Sequence, residues 1–152
     1  MKENELRIGN LVTVNNPEYH PKLKGVILRI TSISPNGDDY SIGLEHINQK
    51  PNTYYESYSQ FLRFIEPIQL KKEFLNEKFK SDNGNFWIDM QTHYLELITA
   101  GRDWFPIFSQ CAEFSCDEEQ RVNLKSIQYL HHLQNLYYTL TGEELPVCQC
   151  CC

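Results

Sequence analysis

The chain has 152 residues, 41% of them hydrophobic and with nine Tyr and eight Phe, enough for one ordinary domain or two small ones with an aromatic-rich core. No apolar run approaches the ~20 residues that span a bilayer, and the N-terminal MKENELRIGN lacks the apolar stretch of a signal peptide, so a cytoplasmic location is expected. The whole net charge of −6 arises after residue 65, so a phosphate backbone would be repelled unless the few cations cluster.

Residues 1–66 read as short strands. Leu6-Arg7-Ile8 leads into the turn signal Gly9-Asn10, and Leu11-Val12-Thr13-Val14 follows as a strand. Residues 15–24 carry two prolines and no periodicity, which predicts a loop. Gly25 to Ile33 is rich in β-branched residues, Pro35-Asn36-Gly37-Asp38 is a turn, and Tyr40 to Leu44 alternates as a hairpin return strand should. Residues 48–59 are polar and tyrosine-rich, a predicted loop, and Phe61 to Ile65 reads as a closing strand. Short strands with tight turns predict a small SH3-like β-barrel over 1–66.

Pro67 opens a second segment. Leu70, Phe74, Leu75 and Phe79 have helical spacing, which predicts a short helix ended by Ser81-Asp82-Asn83-Gly84. Strands are predicted at Phe86–Met90, Tyr94–Thr99, Trp104–Phe108, Ala112–Cys116 and Arg121–Leu124. The clearest helix spans Ser126 to Leu145, with Leu130, Leu133, Tyr137 and Leu140 on one face, Ser126 as N-cap and Gly142 as the left-handed stop before Pro146. His131, His132, Gln134 and Asn135 fall off that apolar stripe. The expected architecture is therefore α+β: the N-terminal SH3-like barrel, then over 67–146 an antiparallel sheet flanked by two helices, then a cysteine-rich tail over 147–152 expected to be disordered.

The motifs LRIGNLV, FIEPIQLKKEFL and above all QYLHHLQNLYYTLTGEEL resemble those of small uncharacterised proteins from Bacteroidota genomes and their phages or prophages. The resemblance touches both ends and the middle of the chain. Two features depart from it: Lys71 stands where relatives place a capping Thr or Ser, and the cysteine tail is foreign to the pattern. It implies an accessory gene of a bacterium or mobile element, and brings no reaction, ligand or catalytic residue.

Candidate chemistry is sparse. The tail Cys148-Gln149-Cys150-Cys151-Cys152 has soft-metal ligands, but no second Cys-x-x-Cys cluster completes a structural zinc site, and Cys111 and Cys116 would have to be brought to it by the fold. His131 and His132 are adjacent on the predicted helix, about 100° apart, which disfavours chelation of one ion and makes a surface or boundary pair the default. Phosphate-cradle, nucleophile-elbow and zinc-protease motifs are absent, and acidic neighbours would raise the thiol pKa of Cys111 and Cys116. No enzyme activity, catalytic residue, metal site or cofactor is assigned. Tyr54, Tyr55 and Tyr58 with Lys50 and Arg63 (Phe61 beside them) form the one aromatic-plus-basic cluster and are the candidate binding residues, able to grip a peptide or stack bases, or simply to pack the loop onto the barrel.

The leading expectation is a non-catalytic interaction protein, with an unidentified protein partner favoured over nucleic acid, no membrane contact, and opposition to a basic host defence factor as one setting. The alternatives are a nucleic-acid-binding barrel using Lys24, Arg29, Lys50, Arg63 and the tyrosines, and a phage virion or assembly component.

Overall fold

A computed structural model describes residues 2–16, 18, 20–47, 58–75, 79–90, 93–110 and 120–146. The predicted strand Ala112–Cys116, the cysteines and most of the tyrosine-rich loop lie outside them. The chain divides into two compact units, one made of Met1–Gln69 with Tyr129–Leu145, the other of Leu70–Gln128.

The first unit is built on strands β1 (Leu11–Val14), β2 (Leu28–Asn36), β3 (Asp39–His46), β4 (Tyr58–Phe61) and β5 (Ile65–Pro67), in the antiparallel order β4-β3-β2-β1-β5. Strand periodicity builds the core. Leu28 and Ile30 of β2 alternate with exposed Arg29, and Ile42 and Leu44 of β3 point the same way. With Leu6, Val12, Val14, Leu23 and Ile65 they form one apolar cluster. The expectation of a closed barrel is overturned: this is an open sheet with β4 and β5 as its outer strands. The predicted closing strand is interrupted by a 3-10 turn at Leu62–Phe64, so β4 stays on β3 while β5 pairs with β1 at Val14↔Ile65 and Thr13↔Glu66. Leu6-Arg7-Ile8 is not a strand either. Asn10 closes it into a turn, accepting the Arg7 N–H on Oδ1 (2.8 Å) and donating its own N–H to the Arg7 carbonyl (3.1 Å). Gly9, at φ +93, sits inside that turn.

The second unit is a meander of β6 (Lys80–Asp82), β7 (Asn85–Asp89), β8 (His93–Ala100), β9 (Asp103–Gln110) and β10 (Gln120–Asn123), each strand antiparallel to the next. The predicted helix over Leu70–Phe79 is overturned: its described residues hold a 3-10 turn at Lys72–Phe74 and no α-helix. A helix starting at Leu70 needs that residue's carbonyl for its own first bond. Here the Leu70 carbonyl accepts the Trp104 indole Nε1–H (3.2 Å), and the Leu70 N–H donates to the Gln128 carbonyl (2.8 Å). Lys71 supplies no capping oxygen.

The described residues therefore contain one α-helix, not two, and the fold is mostly β. This helix, α1 (Leu130–Thr141), belongs to the first unit. It starts later than Ser126 because Ile127 exchanges both backbone bonds with Trp104 (2.8 and 2.9 Å) and Tyr129 bridges Gln69, which keeps that stretch extended. It ends as its sequence says, with Gly142 at φ +74 donating its N–H to the Tyr138 carbonyl. No helix among the described residues is long and apolar enough to cross a membrane.

The helix docks through two faces. Leu130, Leu133 and Tyr137 are buried as the stripe requires, but so are His131 and Gln134 from the face read as polar. Gln134 Oε1 accepts the Leu11 N–H (2.9 Å) of β1. Asn135 Oδ1 accepts from Asn10 Nδ2 (2.8 Å) and Arg7 Nε (3.3 Å), while its Nδ2 donates to the Glu5 carbonyl (2.8 Å). Beyond the helix end, Glu144 takes a two-pronged bond from Arg7 (2.6 and 2.9 Å), whose guanidinium also lies 4.1 Å above the Tyr138 ring.

Two outcomes follow from this seam. Asn10→Ala removes an amide that is fully buried and leaves the Arg7 N–H without its acceptor, so it should lower unfolding free energy by about 1–3 kcal/mol in urea melts. The Arg7 bond holds the Glu144 carboxyl below its ordinary 4.5. Its contribution is complete above that value and is lost as pH falls through the lower, folded value. Because Glu144 is half-exposed, Glu144→Gln should cost under about 1 kcal/mol at pH 7, and the two proteins should converge in acid melts.

Candidate binding cleft

Strand β4 has the sequence Tyr58-Ser59-Gln60-Phe61, which alternates between the two faces of the sheet. Gln60 lies opposite core-facing Ile42, and Phe61 lies opposite Ser41. Gln60 is buried and its Oε1 accepts Asn16 Nδ2 (2.8 Å), which anchors the loop after β1 to this strand. Ser59 and Phe61 are exposed, and the Ser59 hydroxyl meets that of Ser41 at 2.6 Å.

A cleft of about 320 Å³ is lined by Asn16, His20, Asn36, Ser41, Ser59, Gln60, Phe61, Arg63 and Phe64. Three consecutive residues of β4 line it, although their side chains alternate in direction. Ser41 of β3 and Asn36 of β2 line it as well, and β4 stands at the end of the described strand order. At one end the 3-10 turn after β4 sets Arg63 between two rings, 4.5 Å from the Phe61 centroid and 5.0 Å from that of Phe64. Arg63 Nη1 donates to Asp39 Oδ2 (2.9 Å) at the β2–β3 hairpin, yet the side chain remains 60% exposed. The cleft thus combines three residues of an outer strand, amide and hydroxyl groups, an exposed aromatic and one oriented cation.

The sequence-derived candidates separate here. Arg63 lines the cleft. Tyr58 does not: it is half-buried against the first core, edge-on to His20 (6.1 Å) and His46 (5.6 Å), which is a packing role. Lys50, Tyr54 and Tyr55 lie outside the described residues. Lys24 and Arg29 are not among the cleft residues, and Arg29 Nη1 is 3.5 Å from Glu45 on the neighbouring strand. Sequence reasoning passed over Phe64, Gln60 and the hydroxyls of Ser41 and Ser59. The alternation of Tyr58-Ser59-Gln60-Phe61 was the available signal, but it does not say that the strand would be an outer one.

Among the described residues, one group of side chains has metal-ligand chemistry: Glu5, His131 and His132 of the same unit, whose donor atoms all lie within 4.8 Å of one another. His131 is 1% exposed, and neither ring nitrogen has a hydrogen-bond partner. Burial, with His132 beside it, pushes its pKa down to about 4, so its ring is neutral at ordinary pH.

The two described candidates should respond differently to truncation. Tyr58→Ala should cost about 2 kcal/mol of stability, as loss of a half-buried ring does, whereas Arg63→Ala should stay within about 0.5 kcal/mol because its ion pair is exposed. Denaturant melts of the two variants check this.

No family model, curated protein or solved structure matches the chain, so its assignment rests on the geometry of these residues.

Proposed function

We propose that this protein is a non-catalytic interaction module that takes a short extended segment of a partner protein into the cleft along β4. The observation that carries this reading is that Ser59, Gln60 and Phe61 of an outer strand line the cleft, with Phe61 and Arg63 exposed beside them. An added strand would bond to the β4 backbone, and its alternate side chains would meet Phe61 and Phe64. Arg63, held in place by two rings and Asp39, would select a carboxylate or another acceptor on the incoming segment.

A protein partner is favoured over nucleic acid by charge. A nucleic-acid groove follows its backbone with a series of cations, and Arg63 is the only Lys or Arg among the described residues that line this cleft. The acidic second half of the chain works in the same direction. The setting we propose is the cytoplasm of a bacterial host, as the product of an accessory or phage-borne gene, where such a module could oppose a host factor.

Selection of peptides from a random library on the full chain tests the proposal. Enriched peptides should bind the parent protein and lose roughly 10-fold or more in affinity, about 1.4 kcal/mol, on Phe61→Ala with Arg63→Ala. Peptides whose binding ignores both changes would overturn the cleft. Binding of an oligonucleotide that weakens steeply with salt would replace the protein partner with nucleic acid.

A further inference from the structure

We propose that Glu5, His131 and His132 form a binding site for one divalent transition-metal ion, with Zn²⁺ the best match. The site is separate from the β4 cleft and does not depend on the role given to it.

Two independent observations meet here. The first is convergence. Glu5 ends a 3-10 turn near the start of the chain, and His131 and His132 lie in the first turn of α1, yet their donor atoms fall within 4.8 Å of one another. The second is His131 itself. An imidazole that is 1% exposed with both nitrogens unpartnered leaves desolvated polar atoms uncompensated. Buried polar side chains nearly always have a partner, and a metal ion supplies the one missing here.

The adjacency of the two histidines is no obstacle. The roughly 100° between neighbours on a helix separates their Cα–Cβ bonds and does not say where the ring nitrogens land. The two ring centroids are 4.3 Å apart with planes crossed at 63°. The Tyr129 ring lies parallel to His131 at 5.8 Å and helps orient it.

The donor set selects the ion. Two imidazoles and a carboxylate suit Zn²⁺ and its transition-metal neighbours, whereas Mg²⁺ and Ca²⁺ require oxygen ligands. Around a tetrahedral ion with bonds of about 2.0–2.1 Å, donors stand about 3.3 Å apart. Rotation of the half-buried Glu5 side chain would narrow the remaining gap. The support around the ligands is already built. The Lys2 N–H donates to Glu5 Oε2 (3.0 Å), and Asn135 Nδ2 fastens the Glu5 carbonyl to the same helix that carries the histidines. A bound ion would tie the N-terminal turn to α1.

The test must silence the thiols, which bind zinc unaided. The full chain is prepared with serine at Cys111, Cys116, Cys148, Cys150, Cys151 and Cys152, stripped with chelator and titrated with Zn²⁺ alone. One ion per chain is expected, by mass spectrometry of the metal after gel filtration, with a rise in melting temperature. Glu5→Gln and His132→Gln, both at half-buried positions, should weaken binding by roughly 10-fold or more, at least as much as loss of an outer-shell partner does at known sites. In the same serine chain with its histidines intact, nitrogen NMR should show the His131 and His132 rings shifting as zinc is added. Failure to retain zinc, equal affinity in both variants, or histidine signals that ignore the metal would each overturn the site.

Discussion

A seam of side-chain amides between the first eleven residues and α1 holds the first unit in its observed form. Asn10, Gln134 and Asn135 satisfy the backbone of Glu5, Arg7 and Leu11 and one another, and the Arg7–Glu144 pair closes the far end. Apolar burial by Leu130, Leu133 and Tyr137 would hold a helix against a sheet, but such contacts are not directional. The amides are. Each has one geometry that leaves no buried donor or acceptor unpaired, so together they choose the helix rotation and the register of the N-terminal turn.

That choice has a chemical consequence. The rotation that aims Gln134 at Leu11 and Asn135 at Asn10 also turns His131 inward and brings Glu5 beside His132. A helix packed by its leucine stripe alone would have left both histidines at the boundary. The same unit keeps β4 as an outer strand, because β5 pairs with β1 and a 3-10 turn lies between β4 and β5. The place of β4 at the end of the described strand order and the buried imidazole are thus both products of non-local pairing within one unit.

Outer strands are a hazard because they invite indiscriminate pairing. Here β4 is only four residues long, and its neighbour Arg63 adds a charge at its end. A short edge with one oriented cation favours a small, selective contact over open-ended association, which agrees with the interaction role we assign to it.

Local signals in the sequence carried the turns and the meander. Gly9 and Gly142 occupy left-handed positions where their contexts required them, Asn83-Gly84 and Ala100-Gly101 join strands, and the runs read as strands at β1, β3, β8 and β9 are strands in the structure. These features depend on backbone sterics and side-chain period, which act over a few residues. The helical spacing of Leu70, Phe74 and Phe79 misled for the opposite reason: Gln128 and Trp104 take the backbone bonds a helix would have used. The cleft needed the strand order, and the cluster of Glu5 with His131 and His132 needed the docking of chain segments that are far apart in sequence. The residue types alone determined where the chain could turn, which runs could be strands and where the last helix ends. Tertiary structure decided which strand ends the described sheet and which polar side chains are buried, because a hydrogen-bonding group has no preferred partner until the fold brings one within reach.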